Sequence, residues 1–116
     1  MAVVDDDPEL VGLNLEMLSR LGYAPEGFID ATAVLDAIQA GTAYGAVLTD
    51  EAMPRMTGIQ LAEALRRRGS RTPVLLVSGH GGALLAERAA AAGVDRVLTK
   101  PLQRSDLARA LNEVLA

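Results

Sequence analysis

Three apolar runs in this chain stop at groups that could do chemistry. Met1-Ala2-Val3-Val4 runs into Asp5-Asp6-Asp7, Ala46-Val47-Leu48-Thr49 into Asp50, and Val94 to Thr99 into Lys100-Pro101. A carboxylate at the C-terminal end of a buried strand sits where open α/β sheets keep their reactive groups. Carboxylates brought together raise one another's pKa, and a hard divalent cation resolves that conflict. One or two carboxylates, a backbone carbonyl and waters suit Mg2+ better than zinc or copper. With one histidine and no cysteine, the chain has no zinc ligand set. The cation and Lys100 together would polarise a pocket at Asp50 that suits a phosphoryl group, whose charge is spread over three oxygens. Ser78 and Gly79, after Pro73 to Val77, offer a hydroxyl and an amide to the remaining oxygens. Asp50 is then the nucleophile, as carboxylates are in aspartyl-phosphate chemistry.

Lys100 is the one lysine among 11 Lys and Arg residues. An arginine-biased chain that keeps a lysine at a strand end points to a need for a compact point charge. The acids flanking the site have plainer roles. Asp7 is expected to cap the first helix near its positive end, and Glu51 to be a solvent-facing turn residue. Met53 and Met56 should fill the junction between loop and core, with Pro54 and Gly58 shaping the turn. Arg66-Arg67-Arg68 and Arg71 fall where a helix C-terminus favours cations.

These residues need a scaffold, and the chain supplies five apolar runs alternating with five helical stretches. Strand one covers Met1 to Asp5. Pro8 opens a helix at a position where its missing N–H costs nothing, with Val11, Leu15, Leu18 and Leu21 on one stripe and Gly22 at its end. Strand two, about Tyr23 to Phe28, contains Pro25, which confines it to the sheet edge. Asp30 or Thr32 caps a second helix through Val34, Leu35 and Ile38. Strand three, Ala46 to Thr49, leads to a helix from about Gly58 with Ile59, Ala62 and Leu65 inward. Pro73 to Val77 forms strand four, an unbroken apolar run expected of a sheet covered on both faces. An alanine-rich helix, Leu84 to Ala92, stops at Gly93; it is either partner-facing or plain packing. Val94, Val97 and Leu98 supply strand five. Ser105 or Asp106 begins a last helix with Leu107, Leu111 and Val114 inward. Strictly alternating elements imply an α/β, doubly wound five-stranded parallel sheet with helices on both faces. With strand two at an edge the order is 2-1-3-4-5, flavodoxin-like, which brings Asp5 and Asp6 beside Asp50 at the topological switch point.

Composition removes several function classes. The 116 residues, half of them hydrophobic, are expected to form a single domain over residues 1–116 without disulfide staples. A net charge of −4 argues against binding driven by nucleic-acid phosphates. No apolar run approaches the roughly 20 residues of a membrane span, and no leader pattern precedes the first strand. No membrane insertion and a cytoplasmic location are therefore expected. A strand that starts at residue 1 suggests a segment trimmed from something longer, and no output domain is expected within it.

Together, Val4-Asp5-Asp6-Asp7-Pro8, Leu48 to Pro54 with Gly58, Val77-Ser78-Gly79 and Thr99-Lys100-Pro101 resemble the receiver domain of bacterial two-component response regulators. The resemblance covers the whole chain in order and spacing. It implies that Asp50 is the phosphoacceptor, taking a phosphoryl group from a phosphohistidine on a sensor histidine kinase or a histidine phosphotransfer domain. It implies that Asp5 and Asp6 are metal-site acids, with Asp6 the more direct ligand beside Asp50 and the Ala52 carbonyl. Ser78 becomes the switch hydroxyl, Lys100 the phosphate-pairing lysine, and Lys100–Pro101 the family's cis peptide. Two departures stand out. Val97 occupies the position, three before the lysine, where the family often has an aromatic that rotates inward. Ala52 and His80 hold the positions that tune phosphoryl lifetime; Ala52 cannot orient an attacking water, while His80 can shield or polarise the phosphoryl group. The implied function is a phosphoryl-accepting switch with slow self-hydrolysis that alters the surface of its fourth helix, fifth strand and fifth helix (the family's α4-β5-α5 face), not a turnover enzyme. A phosphorylation-independent pseudo-receiver is the alternative. A phosphohydrolase fits poorly, having no general acid at Ala52 and no room for a cap.

Overall fold

Five parallel strands form one sheet in the order β2-β1-β3-β4-β5, the expected order. In the computed structural model, which describes residues 1–115, β1 is Ala2–Val4, β2 Glu26–Phe28, β3 Val47–Asp50, β4 Val74–Ser78 and β5 Arg96–Thr99. The helices that follow them in turn are α1 (Pro8–Arg20), α2 (Ala31–Gln39), α3 (Gly58–Arg67), α4 (Ala83–Ala92) and α5 (Arg104–Leu115).

Strand alternation sorts the core into two layers. Val3, Leu48, Leu75 and Val77 point to the face covered by α1 and α5, meeting Leu18, Leu107 and Leu111. Ala2, Val4, Val47, Val74 and Leu76 point to the opposite face, meeting Val34 and Leu35 of α2, Ile59 to Leu65 of α3 and Ala89 and Ala92 of α4. Each fully buried leucine contributes about 2 kcal/mol through removal of apolar area from water.

Local chemistry sets the element boundaries. β2 is shorter than its sequence suggested, because Pro25 has no N–H to give and the ladder starts at Glu26, whose amide donates to the Met1 carbonyl at 2.8 Å. Gly27 then lets α1 close over the edge strand: a Cβ there would stand 2.6 Å from Val11 Cγ1. Asp7 caps α1 as expected, accepting from the Glu9 amide at 3.0 Å. At α2 the cap is Asp30 rather than Thr32, and its carboxylate accepts from both the amide and the hydroxyl of Thr32. α5 begins at Arg104, just before the expected Ser105. The amino-terminal end of α4 has no side-chain cap, whereas its far end closes on Gly93 at φ 90.

At the edge of the sheet away from the acids, one arginine gathers four segments. Arg66 donates to the carbonyls of Gly93 (2.6 and 3.2 Å), Ser70 (3.1 Å) and Thr72 (2.8 Å), and pairs with Asp95 at 3.2 Å. Asp95 in turn accepts from the Val74 amide at 2.8 Å. The arginine run thus does more than oppose a helix dipole: its first member ties the ends of α3 and α4 to the starts of β4 and β5.

Candidate functional site

Asp5, Asp50 and Lys100 continue the strand registers that contain Val3, Leu48 and Leu98, so all three belong to the sheet face covered by α1 and α5. The adjacency of β1 and β3 brings the acids together. One carboxylate oxygen from each of Asp5, Asp6 and Asp50 lies within 4.8 Å of the other two. Asp5 and Asp50 are buried, while Asp6 is exposed. Lys100 reaches over from the end of β5, its Nζ 2.8 Å from Asp50 Oδ1. Beside these groups a cavity of about 590 Å³ opens between α1 and the segment after β5, lined by Leu13, Met17 and Leu102 as well as by Asp5, Asp50 and Lys100.

The electrostatics are those of an acid cluster with one cation. Burial raises the pKa of Asp5, and the charge of Asp50 raises it further, although the Asp7 amide, donating to Asp5 at 3.0 Å, works against both. The hydrogen bond to Asp50 raises the pKa of Lys100, and the charges of Asp50, Asp5 and Asp6 act in the same direction against partial burial. Lys100 is therefore firmly cationic. Three carboxylates brought this close, with only oxygen donors among them, fit a hard divalent cation.

The remaining predicted residues lie around this centre. Ser78 ends β4, one residue beyond Val77, the register partner of Asp50. Its hydroxyl donates to the His80 carbonyl at 2.8 Å and accepts from the His80 amide at 3.2 Å. Gly79 and His80 are exposed. The Lys100 amide donates to the Ser78 carbonyl at 2.9 Å, tying the ends of β4 and β5 together, and the Lys100–Pro101 bond is cis. Val97 is half-buried and packs against the layer beneath α2, α3 and α4. Ala52 is exposed, next to the buried Met53, and Met56 joins the same core layer. The two methionines do fill the junction.

Glu51 requires a correction. It is not a free turn residue: its Oε1 accepts from the Ile59 amide at 2.9 Å and its carbonyl from the Gly58 amide at 3.1 Å. The first-turn amides of α3 need acceptors, and a carboxylate eight positions back is outside any local capping pattern. Thr57, with Gln60, supplies the capping box that local sequence does encode. Gly58 proves obligatory for close approach, since a Cβ there would stand 2.6 Å from the Asp50 carbonyl oxygen and 2.4 Å from Leu76 Cδ1. The positive φ in this loop falls on Arg55 (69°), which no residue type announced.

The family of response regulator receiver domains matches residues 1–112. The chain belongs to that family. The receiver is 31% identical over 113 residues to the response regulator protein TmoT of Ectopseudomonas mendocina, covering 97% of this chain and 51% of TmoT. It is 35% identical over 101 residues to the transcriptional regulatory protein FixJ of Bradyrhizobium diazoefficiens, covering 87% of this chain and 49% of FixJ. The chain thus spans about half the length of these relatives. Among solved structures, the chemotaxis response regulator CheY4 of Vibrio cholerae superimposes with a TM-score of 0.89 at 26% identity, covering 98% of the receiver and 96% of that chain. The resemblance read from the motifs and the doubly wound fold are both upheld. No helix among the described residues is long and apolar enough to cross a membrane.

Proposed function

We propose that Asp50 accepts a phosphoryl group from a phosphohistidine on a sensor histidine kinase or a histidine phosphotransfer domain. The observation that carries this reading is Lys100 Nζ, 2.8 Å from Asp50 Oδ1, facing an acid cluster whose oxygens lie within 4.8 Å of one another. Asp5, Asp6, Asp50 and the Ala52 carbonyl would hold Mg2+, which when bound supplies positive charge to the phosphoryl oxygens. A carboxylate oxygen of Asp50 attacks phosphorus in line. The P–N bond breaks, and its electron pair leaves with the donor imidazole. Lys100 moves its hydrogen bond from Asp50 to a phosphoryl oxygen, and Ser78 exchanges the His80 carbonyl for another. The cavity beside α1 gives the donor an apolar wall to approach along.

The domain takes one phosphoryl group per cycle and loses it slowly, acting as a switch and not as a turnover enzyme. Ala52 has no group to orient water, and His80 shields the phosphoryl group. The message leaves through Ser78 and the β4–β5 tie to the α4-β5-α5 surface, because Val97 has no ring to rotate. FixJ carries the name of a transcriptional regulator, so control of transcription is the proposed consequence in a longer protein, without nucleic-acid contact by this domain.

The test is uptake of label. With Mg2+ and a small phosphoramidate donor, wild type acquires one acid-stable, base-labile phosphoryl group, and Asp50→Asn or chelation of Mg2+ abolishes it. Uptake by neither a small donor nor a cognate kinase would leave a phosphorylation-independent interaction module as the better reading.

A further inference from the structure

The loop from Ala52 to Thr57 carries a carbonyl proposed as a metal ligand, yet Ala52 itself is exposed. Something else must hold that peptide. The residue before it, Glu51, is fixed at three points. Its amide donates to the Val77 carbonyl at 2.9 Å, its carbonyl accepts from Gly58 at 3.1 Å, and its Oε1 accepts from Ile59 at 2.9 Å. The first two bonds are backbone and survive any side chain. The third is the only one the Glu51 side chain supplies, and it spans the loop from its first residue to the first turn of α3. On the other flank Met53 is buried in the core layer. Ala52 is therefore a single exposed peptide unit between two immobilised neighbours. Groups that orient ligands in this way commonly change metal affinity about 10- to 100-fold when removed.

We propose that Glu51 is a positioning residue for the divalent cation. By closing the β3–α3 loop onto the Ile59 amide, its carboxylate aims the Ala52 carbonyl at the acid cluster while remaining outside the ligand set. The inference rests on the proposed metal site. It predicts that reach matters and charge does not, which separates it from a simple electrostatic contribution of one more acid.

Two substitutions divide these properties. Glu51→Asp keeps the charge but is one methylene too short for Ile59, whereas Glu51→Gln loses the charge and keeps an oxygen at the same reach. Mg2+ alone is titrated into each protein, and backbone amide shifts of residues 50–53 are followed by NMR, with thermal unfolding recorded in parallel. E51D should weaken Mg2+ binding about tenfold, and E51Q should stay within about twofold of wild type. Thr57→Ala is the control: it removes the neighbouring cap of α3 and lowers the unfolding temperature, but leaves Mg2+ affinity unchanged. Equal affinity of E51D and wild type would overturn the proposal, as would equal losses in E51D and E51Q, or a T57A loss matching that of E51D. Absence of Mg2+ binding in wild type would instead overturn the metal site itself.

Discussion

Asp50 is buried, and among the described residues its ion-pair partner is Lys100, whose charge Asp5 and Asp6 also feel. That imbalance governs what individual substitutions do. Removing the amine with Lys100→Gln leaves a buried carboxylate short of its charged hydrogen bond, which should lower metal-free stability by about 1–2 kcal/mol, since Lys100 is partly exposed. On the proposed metal site, Mg2+ would supply positive charge to the same acids, so it should raise the unfolding temperature more in K100Q than in wild type. Differential scanning calorimetry with and without Mg2+ checks this; an equal rise in both proteins would mean that lysine and cation do not share the cluster. At this scale the sequence was most legible where residue type is tied to chemistry: Asp5, Asp6, Asp50 and Lys100 sit at strand ends and have few alternative uses. Glu51 was illegible because its partner amide lies eight residues on, and only the folded loop brings the two together. Arg55 was illegible because nothing in an arginine signals a positive φ.

Helices and strands were legible in their order and less so at their ends. Apolar periodicity fixed which stretches were strands, whereas the start of β2 depended on where Pro25 interrupts the ladder, and α2 depended on which of two capping candidates won. Asp30 won, and its capping bonds give the element a pH dependence. The amide and hydroxyl of Thr32, with the Arg55 charge, lower the pKa of Asp30. A depressed carboxylate contributes stability above its unfolded pKa and loses it as pH falls through the folded value. Asp30→Asn keeps an acceptor for Thr32 but cannot titrate. Urea unfolding of wild type and D30N should therefore differ at neutral pH and converge on acidification below the ordinary aspartate range. A difference that is constant with pH would show that the cap does not depend on the charge.

The molecule as a whole separates a reactive edge from an anchoring edge. Acids and lysine gather where the strands end, and Arg66 binds four segments together where β4 and β5 begin. The doubly wound order made the first legible, since adjacency of β1 and β3 follows from one edge strand. The second was hidden within a run of arginines, of which Arg66 is half-buried while Arg67 and Arg68 are exposed. Arg66→Ala takes the donor away from the Gly93 and Thr72 carbonyls and from Asp95 and should cost about 3 kcal/mol, read as a lower denaturation midpoint. Phosphoryl uptake per folded molecule should be unchanged; a parallel loss of uptake would mean that the two edges are not independent. Between them lies α4, uncapped at the end nearer Ser78 and closed by Gly93 at the other.

All of this depends on where the phosphoryl group goes, and a chemical trap can report that position. Borohydride reduces an aspartyl phosphate to homoserine, leaving a permanent mark on the residue that carried it. Receiver loaded with phosphoryl group in the presence of Mg2+, reduced and sequenced by mass spectrometry should contain homoserine at position 50 and at no other. Homoserine at position 5 or 6, or none in protein that has demonstrably taken up label, would contradict the assignment of Asp50 as the acceptor.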